Sequence, residues 1–354
     1  MKKFAFTILS IFLLTNASIG QVKTSDIKDQ KANTSTGEMK EGWTKGGSVG
    51  LNFDQLMLVN PYVGEGANKL ALGGLIGWTA DFKKGRLLWK TKLTEDLGIQ
   101  KIGRGVNNPI QKAKDQLNVT SKVNFQTAEG SKWFYSLFGG LRSQLLPTYA
   151  PNTLMYIEDT SKSPSLNKIE KNKSFQSGFM SPGFVTIAPG ASFIKDSHFD
   201  MFVSPAFTKI IIVNDDRIAS RPGIASEQRG LFGTKWRSAT DFEKIEIQVG
   251  ACLIATYKNK FLGDKIDFYT DLTLSNNYLY QPTNIDVEWN TMTKLNIIKG
   301  FGISLITQLT YDHDILVAIN DADNNLFTGT NGNEQLGRRV RFTQGLLLTY
   351  GFTF

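Results

Sequence analysis

Cysteine is nearly absent from this chain. Cys252 is the only one among 354 residues, so no intrachain disulfide can form, and stability has to come from the backbone ladder and the core. Histidine is almost as scarce, with only His198 and His313. Neither stands in a metal-ligand spacing, and without a cysteine pair a structural zinc site is excluded. A phosphate-cradling glycine loop and an HExxH helix are both missing. Beyond the first twenty residues, no apolar run approaches the roughly 20 residues that a membrane-crossing helix needs. Charge is not clustered either. The formal net charge is +8, yet basic and acidic residues are interspersed, which leaves nucleic-acid binding without support. No cofactor is implied.

The start of the chain is informative. Lys2 and Lys3 precede the apolar run "FAFTILSIFLL" (4–14), and small residues follow at Ser18 and Gly20. This is the pattern of a secretory signal peptide, expected to span residues 1–20. Its removal would lower the net charge to about +6. Residues 21–42, "QVKTSDIKDQKANTSTGEMKEG", carry almost no large apolar side chains. They cannot offset the entropy of ordering and read as a disordered periplasmic leader.

From Trp43 onward the dominant period is two. In "LNVTSKVNFQT", Leu117, Val119, Val123 and Phe125 share one face, opposite Asn118, Thr120, Lys122, Asn124 and Gln126. In "IEIQVGACLIATY" and "IDVEWNTMTKLNI", Ile245, Ile247, Val249, Val287, Trp289 and Leu295 stand opposite Glu246, Gln248, Asp286, Glu288 and Lys294. Cys252 falls on the polar parity, and its default reading is an inert buried thiol. The same pattern recurs in about twelve segments: 47–57, 69–82, 86–97, 116–127, 132–146, 179–190, 199–212, 242–257, 265–275, 284–298, 301–312 and 339–354. Pro182, Pro189 and Pro205 interrupt the sixth and seventh. Runs of this length match tilted membrane-crossing strands rather than globular strands of five or six residues.

Short connections such as "KKGR" (83–86), "AEGS" (128–131) and "IKG" (298–300) alternate with long polar ones at 98–115, 147–178, 213–241 and 313–338. That alternation predicts an all-β, closed up-and-down antiparallel transmembrane β-barrel over residues 43–354. It would have about twelve strands, with ten to fourteen compatible, short turns inside and long loops outside. Backbone groups in lipid must pair within the protein, so the sheet must close. The alternating aromatic end "RVRFTQGLLLTYGFTF" (339–354) would pair with the first strand and is expected to be read by the barrel-insertion machinery. Trp78, Phe82, Trp89, Trp133, Tyr257, Phe352 and Phe354 are expected to form an interfacial aromatic girdle near the short turns.

The stretches "WTADFKKGRLLWKTKLTEDLGIQKIG" (78–103) and "KAKDQLNVTSKVNFQTAEGSKWFYSLFGGLRSQLLPTY" (112–149) resemble a family known mainly from Bacteroidetes, catalogued as a domain of unknown function and predicted to form an outer-membrane barrel. "EGWTKGGSVGLNFDQL" (41–56), "SPGFVTIAPGASF" and "YDHD" look like its other recurring pieces. The resemblance implies the same fold and location and carries no activity.

The lumen parity collects Lys90, Lys92, Lys122, Arg142, Glu246, Asp267, Asp271, Asp286, Glu288, Lys294, Arg339 and Arg341, with the acids concentrated in the later strands. Charge facing lipid would cost several kcal/mol per residue near the midplane, so these residues should face inward. They could line a hydrated pore or cross-pair and close it. The expected function is a porin-like passive channel or binding barrel for a small polar solute in the outer membrane of a Gram-negative cell. Membrane lipid and lipopolysaccharide are its expected surroundings. Two alternatives stand beside it. Asp312, His313 and Asp314 in "YDHD" could orient a general base for lipid hydrolysis at the outer rim, although no serine partner is evident. A closed structural or adhesion barrel with functional loops is the other. "NDADNNLFTGTNGNE" (320–334) starts like a calcium loop, but Leu326 and Gly332 replace its glycine and glutamate, so no metal is expected.

Overall fold

A computed structural model describes residues 40–56, 69–102, 109–150, 152–222, 230, 232–279, 282–298, 301–311, 317–318, 336–337 and 340–353. The main sheet is built from twelve long strands: β1 (Gly42–Leu56), β2 (Lys69–Lys84), β3 (Leu87–Ile102), β4 (Gln111–Gln126), β5 (Trp133–Ser143), β6 (Gly183–Ile194), β7 (Phe199–Ile212), β8 (Ile245–Phe261), β9 (Ile266–Ser275), β10 (Asp286–Ile298), β11 (Phe301–Tyr311) and β12 (Arg341–Thr353). Every neighbouring pair is antiparallel, and the order returns to its start. β1 pairs with β2 through Gly42↔Lys83 to Leu56↔Lys69, and with β12 through Ser48↔Thr353 to Phe53↔Leu348.

Alternation explains the ring. In β2, Leu70, Leu72, Ile76 and Trp78 are exposed outward, while Asp81 and Thr79 share the opposite parity. In β5, Trp133, Tyr135 and Leu137 are exposed, and Phe134 and Ser136 between them are buried. A ring of such strands leaves no free edge to template aggregation.

The strands run longer than the sequence period suggests at several places. β3 and β4 reach 16 residues each, so the connection read as 98–115 shrinks to 103–110. A bulge is the reason. The register passes from Gly98↔Lys114 to Ile99↔Lys112 and leaves Ala113 unpaired, which breaks the alternation without breaking the ladder. The sixth segment also shifts, from 179–190 to Gly183–Ile194. Pro189 and Pro205 do not end their strands. They lie where β6 and β7 lose register between Ile187 and Ala191, so neither missing N–H removes a ladder bond.

Short links lie at one end of the barrel: Gly85–Arg86, 127–132, 195–198 and 262–265. Gly85 adopts φ +54 in the two-residue turn, a conformation natural to glycine. The long links lie at the other end. Two of them fold. One carries helix α1 (Pro164–Ser174), whose Ser163 side chain accepts from Leu166 N, and a strand pair at Thr148–Tyr149 and Phe175–Ser177. The other carries helix α2 (Asp216–Ala219) and a strand pair at Trp236–Ser238 and Asp241–Phe242. Among the described residues no helix is long and apolar enough to cross a membrane.

Candidate functional site: a charged lumen under a folded cap

The inner parity carries the chemistry. Lys90, Lys92 and Lys122 lie on β3 and β4, joined by Lys114, which pairs with Asp96 at 3.6 Å. Glu246, Asp267, Asp271, Asp286 and Glu288 lie on β8, β9 and β10. In a twelve-strand ring β3 and β9 are opposite, so a basic wall faces an acidic one. Hydrogen bonds fix the acidic wall. Asp271 Oδ2 accepts from Asn290 Nδ2 at 3.1 Å, and Glu288 Oε1 accepts from Asn290 Nδ2 at 3.2 Å and Gln308 Nε2 at 3.1 Å. Asp267 Oδ2 accepts from Asn296 Nδ2 at 3.0 Å and stands opposite Lys294 in the register. Lys92 and Glu246 are buried. Arg142 stacks over the Phe184 ring at 4.8 Å, where Lys209 also lies at 5.6 Å.

An ion pair crosses the interior. Lys122 Nζ on β4 reaches Asp200 Oδ1 on β7 at 3.2 Å, spanning the width of β5 and β6, and sits 5.1 Å above the Phe202 ring. Asp200, Lys258, Lys114 and Lys209 are absent from the sequence-derived set. In β7 the extra residue at the Pro205 bulge reverses the parity. Asp200, Phe202 and Ser204 face inward before it, and Phe207, Lys209 and Ile211 after it. A fixed period of two cannot follow that reversal.

The lumen is not wholly polar. Phe138, Phe202, Ala188, Cys252 and Ile254 pack together on the β5–β8 side, and Tyr269, Met292 and Ile306 on the β9–β11 side. Cys252 is thus a buried member of an inward apolar cluster, in keeping with an inert thiol. Phe138 stands beside Lys122 and Tyr269 beside Lys258 in the register, so apolar and charged side chains share one level of the interior.

Aromatic rings crowd the short-turn end on the outside. Trp43 lies 5.0 Å from Phe82 and 5.6 Å from Trp89, Trp133 lies 5.1 Å from Phe193, and Tyr257 lies 6.2 Å from Phe268. Trp43, Phe193 and Phe268, which the expected set omits, share this end of the barrel. Trp78 pairs with Leu93 rather than at the strand end, four residues and about 13 Å along the strand from Phe82. Phe352 and Arg341 lie in β12, but their side chains fall outside what is described. Phe354, Arg339, Asp312, His313, Asp314 and all of 320–334 lie outside the described residues altogether.

At the long-loop end the two folded links share a core of Phe175, Val213, Ile218 and Ala219, with Tyr149, Phe232 and Phe242 against it. Arg217 lies 3.9 Å above the Phe175 ring and donates to both oxygens of Asp215 at 2.9 and 2.7 Å. That guanidinium, beside it, holds the Asp215 carboxyl below the usual carboxylate range. Arg221 donates to Lys173 O at 3.0 Å, and Trp236 Nε1 donates to Ser220 O at 2.9 Å. Gly233 sits against the inward-facing Ile211, so this cap reaches into the mouth on the β7 side. On the outer wall, the Asp115 carboxylate accepts from Leu145 N and Leu146 N, both at 2.8 Å, and ties the start of the cap to β4. Among the described residues, no group of three or more His, Cys, Asp or Glu could hold a metal ion.

An antiparallel all-β barrel with an oily exterior and a charged interior is therefore the class of this chain. A family profile described as "Protein of unknown function (DUF3078)" matches residues 53–149, the region of β1 to β5. No curated relative matches. Among solved structures, the chain is similar to an outer-membrane channel from Pseudomonas putida F1, with 10% identity, a TM-score of 0.38, and 91% of this chain and 98% of that one covered. It is also similar to the translocator domain of the autotransporter NalP from Neisseria meningitidis, with 6% identity, a TM-score of 0.36, and coverages of 94% and 95%.

Proposed function

We propose that this protein is a barrel of the Gram-negative outer membrane that binds and passes a small polar solute through a narrow, mixed-charge lumen. The observation that carries this reading is the inverted polarity. Leu72, Ile76, Leu137, Ile187, Ile247, Trp289 and Leu305 are exposed on the outer face, whereas Asp96, Asn124, Ser192, Asp271 and Asn290 are buried inside. A water-soluble protein would place those two sets the other way round. An exposed apolar band over the whole girth far exceeds the few hundred Å² that soluble monomers tolerate, and hydrocarbon is the solvent it suits. On this reading the outer band meets lipid and lipopolysaccharide, and β12, which closes the ring against β1, is the strand offered to the insertion machinery.

The lumen supports passage of something small rather than sieving of large molecules, because apolar side chains and crossing charges occupy part of its section. The test is conductance of the refolded protein in planar bilayers, together with heat-modifiable gel migration from outer-membrane fractions. Discrete channels and a heat-dependent shift are the expected results. Recovery of the protein as a soluble periplasmic species would overturn both location and function.

The folded cap favours a second reading, a closed barrel that displays its loops to a partner. A well-folded protein with no conductance and with binding that depends on 144–182 would be its signature.

A further inference from the structure

We propose that the inner mouth of the barrel, at the short-turn end, is an anion-binding constriction in which Lys90 and Lys258 receive the carboxylate or phosphate of an entering solute. This deepens the passage reading and names the chemistry its solute must carry.

The register assembles the ring. Asp81 stands opposite Lys90, and Lys90 opposite Lys122. Asp200 stands opposite Thr256, two residues from Lys258 on the same face of β8. All five groups lie within four residues of the short-turn ends of their strands, so they form one level. Two lysines placed directly across a strand pair repel each other. The structure relieves one of them, because Lys122 is taken by both oxygens of Asp200 at 3.2 and 3.4 Å.

The other two lysines are not relieved. Among the described residues neither Lys90 nor Lys258 has a carboxylate within 4.0 Å of its ammonium group, apart from the exposed Lys260 pair nearby, which involves neither. Asp81 stands opposite Lys90, yet its Oδ1 is buried without a hydrogen bond. Lys258 comes from a strand five places round the ring from Lys90, on the same inner face and near the same short-turn end. Two ammonium groups without a paired carboxylate therefore share this level of the lumen. Among these five groups three cations meet two carboxylates, and one of those carboxylates is already committed to Lys122. An anionic group entering between Lys90 and Lys258 accepts hydrogen bonds from both and cancels their repulsion. In a partly desolvated lumen such charge-assisted bonds are at their strongest.

The test uses the full-length mature protein refolded in detergent and in planar bilayers. Titration calorimetry with acetate and with inorganic phosphate asks which anion the ring prefers, with choline as the cation control. Reversal potentials in a KCl gradient give the permeability ratio. The expected result is anion binding and anion preference, with Lys90→Gln or Lys258→Gln weakening affinity about tenfold, the loss of one charge-assisted hydrogen bond. Lys90→Arg should retain binding, and Asp200→Asn, which frees Lys122, should strengthen it. Anion binding that is absent, or that both glutamine variants leave unchanged, would overturn the site even if the barrel conducts. Lysine-dependent binding without conductance would uphold the site and overturn passage.

Discussion

Asp215 does two jobs in the cap. Its side chain accepts from Arg217 N at 2.9 Å to begin α2, and it holds the Arg217 guanidinium over Phe175. Asp215→Ala removes both, at a combined cost of about 1–2 kcal/mol for an N-cap and a half-exposed ion pair. The loss should fall on the cap alone, read as faster backbone hydrogen exchange around 213–221 with the barrel unchanged. Acid should act in the same direction. The Asp215 carboxyl is held below its ordinary value of 3.8, chiefly by Arg217, so its contribution is complete above that value and disappears as pH falls through the lower folded one. Exchange in this segment should therefore stay slow down to about pH 4 and quicken below it in the wild type, while Asp215→Ala shows no such step. An identical acid response in both proteins would take Asp215 out of the account. None of this is legible in the sequence, where 213–241 reads only as a charged connection. Short-range polarity patterns do not reveal that Phe175, more than thirty residues upstream, completes the same small core.

Strands show which parts of a sequence speak plainly and which do not. β2, β9 and β11 coincide closely with their periodic segments because no residue is inserted within them. β4 departs through the bulge at Ala113, and β7 keeps its bounds of 199–212 but changes parity at its own bulge. A single extra residue at Pro205 turns the upper half of β7 over, so Lys209 faces inward at a position that a strict count assigns to lipid. Lys258 escapes for a simpler reason, because the periodic segment 242–257 stops one residue short of it. The bulge depends on close approach. A Cβ on Gly190 would fall inside contact distance of the Val203 carbonyl oxygen. Gly190→Ala must therefore push β6 from β7 where their register already slips, at a cost of about 1–3 kcal/mol for overpacking. Gly139, on the neighbouring strand, has only ordinary contact there, so Gly139→Ala serves as the control. A lower urea midpoint for Gly190→Ala alone, followed by loss of the heat-resistant band, is expected. Equal midpoints for the two variants would mean that the β6–β7 bulge is not held by close backbone contact.

At the scale of the whole molecule, the ring of twelve strands gives one wall two solvents, and a charge should report which solvent it meets. Leu137 is exposed near the middle of β5 on the outer face. Thr273 lies on the inner face of β9, opposite Glu288 in the register. The same new residue, arginine, can be placed at either position, so side-chain entropy and strand propensity nearly cancel between the two variants. In detergent-free lipid, Leu137→Arg should cost about 2–4 kcal/mol, the depth-dependent penalty for arginine near a bilayer midplane. Thr273→Arg gains a carboxylate neighbour and should cost less than about 1 kcal/mol. Unfolding by urea from vesicles measures both, and the difference between them carries the test, since absolute values depend on the lipid. A large difference in vesicles that shrinks in a thin, mobile detergent shell assigns the outer face to hydrocarbon. Equal costs in vesicles would mean that both faces meet water, and the inverted polarity of the barrel would then need another cause. The experiment is more decisive than conductance alone, because a plugged barrel conducts nothing and yet still has to choose which face it turns to the lipid.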